Sequence, residues 1–462
     1  MSKQVVTVNP ATDEVIESFD AMDWNVVSGL MDDAVAAQAA WRNSPLEERV
    51  TKLRKLGEVL REDVEHHATL ISKEMGKPIT EARGEVLKCA LACDYYADNL
   101  VEFLTPKPVK TEAVNSYVSY EPLGVIFAVM PWNFPYWQVI RFAAPTLAAG
   151  NGGMLKHASN VTGSAIAIQH AIEKAGFPKG LFTSLVVADH AMVNTIVEDN
   201  RIAAVTLTGS EKAGASVAEA AGRALKKTVL ELGGSDPFVI LEDADSEAIA
   251  PFAVKARFIN TGQSCLCAKR FIVADNLVDD FEGRIKTLVE ALKIGDPLDP
   301  STQLGPLAKK AFVDDIDKQV QDSIKMGARL VTGGHRIDGP GNFYAPTILA
   351  DVTPDMPVFN QETFGPVLAL VGASSSEQAI KLANTTQYGL AASIWTKDPS
   401  IGVKLGAGIS SGALFVNGVV ASDPRLPFGG VKLSGYGREL SIEGLHEFMN
   451  VRAVWIGNMP TV

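Results

Sequence analysis

Over the first hundred residues the apolar positions recur at helical spacing. Leu53, Leu56, Leu60 and Val64 are separated by charged residues, and this predicts one long helix over 46–76. A second helical stretch, "EVLKCALACDYYADNL", places Cys89 and Cys93 four residues apart. Between 104 and 120, "LTPKPVKTEAVNSYVSY" breaks with prolines and then alternates, which predicts an extended strand or hairpin. From 124 the pattern becomes strand, loop, helix, repeated. "GVIFAVM", "GGMLKHA", "FTSLVV", "AAVTLTG" and "KTVLEL" are short apolar runs, with helical segments at 160–176 and 211–224 between them. After "ELGGSDP" the same style returns in "PFVIL", "RFIVA", "ARLVTGG", "VLALVGA", "LAASIWT" and "GALFVNG". Runs apolar nearly throughout predict parallel strands covered on both faces. The expected fold is α/β, with doubly wound sheets whose ligands bind outside the carboxyl ends of the strands.

Composition narrows the partners. A chain of 462 residues with 47% hydrophobic residues can bury two or three sizeable cores. Its formal net charge of −12 disfavours nucleic acid or an anionic membrane surface as a partner. The beginning, "MSKQVVTVNPATDEVIESFDA", lacks the apolar core of a secretory signal. The most apolar stretch, "GVIFAVMPWNFPYWQVIRFAAPTLAAG", is interrupted by Pro131, Pro135, Arg141 and Pro145, so no membrane span is expected. Four cysteines in such a chain fit a cytoplasmic protein with reduced thiols.

Half of those cysteines stand in "NTGQSCLCAKR". The spacing of Cys265 and Cys267 is wrong for a zinc clip, and no His/Cys partners complete a set with Cys89 and Cys93, so no metal is expected. A reactive thiol, a redox pair and two packed cysteines on a turn all remain open. "PWNFP" holds Asn133 between prolines, either as a preorganised donor to developing negative charge or as filler in a rigid turn. Glu231 ends an apolar run before two glycines, either as a general base at a sheet mouth or as a solvated strand end. "TLTGSEKAG" follows a strand and opens a helix, a place that suits phosphate. It is neither a GxGxxG fingerprint nor a P-loop.

Together the stretches "PWNFP" (131–135), "LKHAS" (155–159), "TLTGS" (206–210), "LELGG" (230–234), "NTGQSCLC" (260–267), "ETFGP" (362–366) and "PFGGVKLSGYGRE" (427–439) resemble the aldehyde dehydrogenase superfamily, in its order. The resemblance implies Cys265 as nucleophile, Asn133 with the Cys265 backbone N–H as oxyanion donors, and Glu231 as the base that activates water. For the cofactor, NADP or NAD, it implies contacts from Trp132, Lys156, Ser159, Gly209, Ser210, Glu362 and Phe364. Ser159 stands where NAD-preferring members commonly carry a glutamate. A carboxylate would repel a 2′-phosphate and a serine can donate to it, so NADP is favoured.

Within the superfamily the chain resembles succinate-semialdehyde dehydrogenases most closely, through "SDPFVILEDADSE" and the Cys-x-Cys pattern. That implies oxidation of succinic semialdehyde to succinate, with Arg141, Trp137 and Ser422 on the substrate side. The alternative is the same chemistry on another aliphatic or aromatic aldehyde. Ile259 replaces a second arginine that some members carry six residues before the nucleophile, and Trp137 and Arg425 are the residues that could compensate. Cys267 is a candidate redox partner of Cys265, since relatives with this pair can close a reversible disulfide. The implied architecture is a Rossmann-like cofactor domain over 1–103 and 121–232 and a catalytic domain over 233–442. A small β oligomerisation flap would comprise 104–120 and 443–462. Its tail strand would extend a neighbouring subunit's sheet, giving a homodimer or a dimer of dimers.

Overall fold

A computed structural model describes residues 3–459, so residues 1, 2 and 460–462 of the expected boundaries lie outside the described residues. Two sheets frame the molecule. The first has six strands in the spatial order Gly435–Tyr436, Lys227–Glu231, Ile202–Thr208, Val125–Met130, Gly152–His157, Phe182–Ser184. All neighbours run parallel except the two-residue strand Gly435–Tyr436, which lies antiparallel on Lys227–Glu231. The second has seven, in the order Arg329–Thr332, Thr347–Ala350, Val367–Ala373, Ala268–Ala274, Asp236–Ile240, Ala391–Trp395, Ala413–Val416. Only its first pair is antiparallel. The chain passes from one sheet to the other between Glu231 and Asp236.

These strands form where the apolar runs were seen, because central parallel strands are covered on both faces. Asp236–Ile240 and Ala268–Ala274 are buried at every position. Helices cover the first sheet, among them Ile79–Leu104, Trp137–Ala148 and Thr162–Lys174. Each fully buried Leu or Val of such a core is worth roughly 1.5–3 kcal/mol. Leu53, Leu56 and Leu60, all fully buried, therefore hold their helix down far more strongly than propensity does.

The single helix expected over 46–76 is two helices, Leu46–Glu62 and Val64–Met75. Asp63 breaks them apart with φ −102° and ψ 21°, and its carboxylate takes Lys174 at 2.6 Å. The apolar period runs on across the break, which hides it in the sequence. An N-terminal antiparallel hairpin, Gln4–Val8 with Val15–Asp20, was also not foreseen. Little of it is buried beyond Val5 and Thr7, so its alternation is faint.

The stretch after 104 forms strands Lys107–Pro108 and Asn115–Pro122, and Met449–Ile456 pairs antiparallel with the latter, Val451 opposite Tyr120. Met449–Ile456 is an outer strand of this three-stranded sheet. Its free edge exposes Val451, Trp455 and Ile456.

Candidate active site

Four adjacent parallel strands of the first sheet end on the chemistry-bearing stretches. Val125–Met130 runs into "PWNFP", Gly152–His157 ends in "LKHAS", Ile202–Thr208 runs into Gly209 and Ser210, and Lys227–Glu231 ends on Glu231. Their carboxyl ends form one edge, where a doubly wound sheet binds its ligand. Facing them across a cleft of about 600 Å³ are Cys265, Phe312, Glu362 and Phe364.

The cysteine loop explains "NTG". Asn260, Thr261 and Gly262 all adopt left-handed backbone, with φ of 53°, 55° and 73°. Such conformations cost on the order of 1–3 kcal/mol for a non-glycine residue, and a β-branched threonine tolerates them poorly. At Gly262 a Cβ would stand 2.2 Å from the Gly365 carbonyl oxygen, so only glycine fits. Buried polar contacts hold the strained run. Glu81 accepts from the Asn260 N–H at 2.7 Å, and Thr261 exchanges hydrogen bonds with Gly305. Gln263 accepts from the Ala308 N–H at 2.9 Å.

Asn133 is fixed from several sides. Its Oδ1 accepts from Gln138 Nε2 at 2.9 Å, which turns Nδ2 toward the cysteine loop, where it donates to the Gln263 carbonyl at 3.1 Å. Asn260 Nδ2 donates back to the Asn133 carbonyl at 2.8 Å. The histidine of "LKHAS" supports the same turn. His157 lies with Nε2 2.9 Å from the Pro135 carbonyl and Nδ1 3.2 Å from the Met130 carbonyl, beside the Ala158 N–H. Burial lowers the His157 pKa to about 4, which keeps it neutral in this role.

Cys265 opens onto the cleft, yet the packed protein around it pushes the thiol up to about 12, against the pull of Lys269 and Arg141. Lys269 donates to the Ser264 and Cys265 carbonyls at 3.0 and 2.9 Å and pairs with Glu362 at 3.2 Å. Glu362 also accepts from the Gly234 N–H at 3.0 Å. Glu231 is fully enclosed, and neither carboxyl oxygen has a hydrogen-bond partner among the described residues. Burial first, then neighbouring Glu439, holds it well above the usual carboxylate range. The stretch 427–439 closes over this strand: Gly435 lies opposite Glu231, and Ser434 Oγ donates to the Gly233 carbonyl at 2.6 Å. A Cβ on Gly429 would come within 2.9 Å of Glu231 Oε1.

An enclosed thiol facing the cleft, an amide aimed at its loop and a carboxyl with orphaned oxygens form an acyl-transfer constellation. The sequence places it among known proteins. The model of the aldehyde dehydrogenase family matches residues 1–454. The chain belongs to the aldehyde dehydrogenase family. A probable NADP(+) succinate-semialdehyde dehydrogenase of Synechocystis sp. is 48% identical over 98% of this chain and 99% of its own length. The NAD(P)+ succinate semialdehyde dehydrogenase of Escherichia coli is 46% identical over 97% of each. The structure of succinic semialdehyde dehydrogenase from Streptococcus pyogenes in complex with NADP+ superposes with a TM-score of 0.96. It is 42% identical, and the match covers 98% of this chain and all of that one.

The cleft of this aldehyde dehydrogenase fits a dinucleotide. Ser210 caps the helix Glu211–Arg223, its Oγ accepting from the Ala213 N–H at 3.4 Å, so the helix start faces the cleft. Trp132 stacks on Phe312 at 4.8 Å and meets Phe364 edge-on at 5.7 Å, making an aromatic wall. Beyond the cleft Ser159 is exposed and lines a small recess with His157, while the neighbouring Asn160 side chain is buried with both polar atoms unpartnered. Burial depresses Lys156, and Lys309 depresses it further; neither lysine has a carboxylate partner among the described residues. Two unpaired ammonium groups and an orphaned amide suit an anionic group at this end.

The substrate side is rearranged relative to the motif expectation. Arg141 is buried, paired with Glu439, donating to Thr208 Oγ1 at 3.2 Å and lying over the Phe428 ring at 4.9 Å. It does not line the main cleft. Arg425 is exposed and held by Asp423 at 2.6 Å. Trp137 Nε1 donates to Ser422 Oγ at 2.9 Å, so these two expected residues do meet. Sequence reasoning missed Gln138, Phe312, Lys309, Lys269 and Lys88. Lys269 alone carried a signal, as one of the two cations that close the cysteine stretch. Among the described residues no helix is long and apolar enough to cross a membrane, and no His/Cys/Asp/Glu group is placed to hold a metal.

Proposed function

We propose that this chain oxidises succinic semialdehyde to succinate with NADP, NAD being the weaker cofactor. The observation that carries the chemistry is a cleft lined by both Cys265 and Asn133, with the enclosed Glu231 directly before its lining residues Leu232 and Gly233 and near enough to bear on the Cys265 thiol. The substrate and cofactor readings draw on the likeness to NADP(+) succinate-semialdehyde dehydrogenases at 44–48% identity.

Cys265 loses its thiol proton to solvent and its sulfur bonds to the aldehyde carbon as the C=O π pair moves onto oxygen, whose developing charge is received by Asn133 Nδ2 and the Cys265 N–H. That N–H makes no other hydrogen bond among the described residues. A bound nicotinamide would supply the hydride acceptor for this carbon, and the oxygen's electron pair re-forms C=O to leave a thioester on Cys265. Glu362 would hold the nicotinamide ribose and Lys269 would keep Glu362 in place. Ser210 and Gly209 would meet the pyrophosphate, Trp132 and Phe364 would flank the ring, and Lys156 with Ser159 would meet the adenosine ribose. The absence of a carboxylate there, with Lys309 nearby, favours a 2′-phosphate. Glu231, a strong base once ionised, takes a proton from water; the new hydroxyl breaks the C–S bond and releases the acid.

On the substrate side Arg141, Trp137 and Ser422 would surround the tail. Ile259 in place of an arginine, and Arg141 shared with Glu439, favour as a second reading the same chemistry on a less charged aldehyde. We read the domains as following the two sheets and the three-stranded flap, with Gly435–Tyr436, inside the expected catalytic stretch 233–442, crossing back to pair with the first sheet. We read the protein as a cytoplasmic homo-oligomer in which strand Met449–Ile456 of one copy extends the second sheet of another at its outer strand Ala413–Val416. A recess of about 400 Å³ beside that strand is lined by Leu414, Phe415 and Leu426 and also by Ser422 and Phe428 of the substrate side. Initial rates with succinic semialdehyde, NADP against NAD at matched concentrations, test the reading. A fast reaction favouring NADP supports it. Faster turnover of neutral aldehydes overturns the substrate, and faster turnover with NAD overturns the cofactor.

A further inference from the structure

A carboxylate-tailed substrate needs a cation that is free to meet it, and the expected ones are engaged or missing. Arg141 is committed to Glu439 and Thr208, Arg425 to Asp423 at the surface, and position 259 is isoleucine. One cation beside the substrate-side residues has no carboxylate partner among the described residues. Lys88, on helix Ile79–Leu104, donates to Ser422 Oγ at 2.8 Å and lies 4.1 Å above the Trp137 ring. The nearby acids serve elsewhere. Glu85 pairs with Lys77 and accepts from the N–H groups of Tyr136 and Trp137 at 2.8 and 2.9 Å. Asp423 is held by Arg425.

Ser422 Oγ thus accepts from both Lys88 and Trp137 Nε1, at 2.8 and 2.9 Å. With both lone pairs used, the hydroxyl proton is left to donate to a further acceptor. Trp137 directly precedes Gln138, which lines the cleft with Cys265 and orients Asn133. An ammonium, a hydroxyl proton and an indole face therefore meet at Ser422, which lines a recess with Phe428, while Gln138 of the helix that carries Trp137 lines the cleft with Cys265. A mostly enclosed cation without a counter-ion is costly to keep, and burial holds Lys88 down to about 8. An incoming carboxylate would remove that cost.

We propose that Lys88, acting with Ser422, is the specificity-determining anchor for the substrate carboxylate, in place of the second arginine absent at position 259. This rests on the reading that the substrate carries a carboxylate tail. It places the anchor on a helix that none of the recognised stretches contains.

The test compares kcat/KM for succinic semialdehyde and for butanal, equal in carbon number but neutral, in the full-length enzyme with NADP. Lys88→Met should lower the ratio by about tenfold to a hundredfold, the range of a charge-assisted hydrogen bond, mainly through KM for succinic semialdehyde. Lys88→Arg should restore most of it, and Ser422→Ala should lower it less than Lys88→Met does. An equal loss with both substrates in Lys88→Met and Lys88→Arg would make Lys88 structural and overturn the proposal. An unchanged ratio in Lys88→Met overturns it as well. If the wild-type enzyme itself does not prefer succinic semialdehyde to butanal, the substrate reading falls and the anchor falls with it.

Discussion

Lys269 joins Glu362 to Cys265: one ammonium pairs with Glu362 Oε1 at 3.2 Å and donates to the Cys265 carbonyl at 2.9 Å. The carboxyl proposed to hold the cofactor ribose and the backbone proposed to hold the attacking sulfur are therefore tied by a single side chain. The same charge pulls the Cys265 thiol down against the burial that pushes it up to about 12.

With the thiol so high, the thiolate fraction is still growing throughout the accessible alkaline range. The rate of Cys265 alkylation by iodoacetamide should climb without plateau between about pH 7 and 9.5. Lys269→Met removes the favourable charge and should slow alkylation at fixed pH by up to about tenfold, one pKa unit. It should also raise KM for NADP by loosening Glu362. A plateau near neutral pH would mean that the free enzyme already holds a thiolate.

Glu231 has two orphaned oxygens and a raised pKa, which suits a group that acts only when water reaches it. Glu231→Gln cannot accept a proton. It should still form the thioester, giving a burst of one reduced cofactor per active site. Steady turnover should then fall by about 10²- to 10⁴-fold, the usual size of a lost general base. Rapid-mixing absorbance at the reduced-nicotinamide band checks this. Loss of the burst as well would move Glu231 into the first chemical step.

The parts of this site legible in the sequence are those held by unusual backbone. "PWNFP", "NTGQSC" and "LELGG" stand out because a proline-locked turn, a left-handed run and close strand contacts need particular residues. The proposed catalytic residues Asn133, Cys265 and Glu231 travel inside them. Lys88 is invisible by the same logic, since between Leu87 and Cys89 in a helical run a lysine reads as solvated surface. Its position opposite Ser422, 334 residues away, is a product of tertiary packing. The engagement of Arg141 by Glu439 is equally long-range. In the fold, the apolar runs revealed the buried parallel strands. Asp63 was missed because a one-residue break leaves the hydrophobic period undisturbed.

Cys267 is buried, its thiol directed to the Ile259 carbonyl at 3.7 Å, with Arg257 and Lys269 among its charged neighbours. Closing a bridge to Cys265 would require withdrawing it from this packing and bending the backbone between them. Peroxide inactivation should therefore be the same in Cys267→Ala as in the parent, through oxidation of Cys265 alone. Protection by Cys267→Ala, with recovery of the parent by dithiothreitol, would instead establish a switch.

Strand Met449–Ile456 presents Val451 and Trp455 on one face, both more than half exposed. An apolar outer strand left open invites pairing with another chain. Val451→Lys with Trp455→Lys should dissociate the proposed oligomer to monomers in sedimentation velocity, with the fold retained by circular dichroism. An unchanged sedimentation coefficient would remove this strand from the interface.

The anchor on helix Ile79–Leu104 has a pH signature of its own. Burial lowers Lys88 to about 8, Arg141 adds to the lowering, and Cys89, Glu85 and Asp423 act against it. Below that pH the ammonium is charged and can hold a carboxylate; as pH rises through about 8 the charge is lost. The alkaline gain in Cys265 thiolate is common to all aldehydes and cancels in a ratio of substrates. The ratio of kcat/KM for succinic semialdehyde over butanal should therefore fall as pH rises through about 8, toward the value of Lys88→Met. In Lys88→Arg it should stay flat over this range, because a guanidinium keeps its charge. A parent ratio that stays flat across the same interval would show that Lys88 does not recognise the carboxylate.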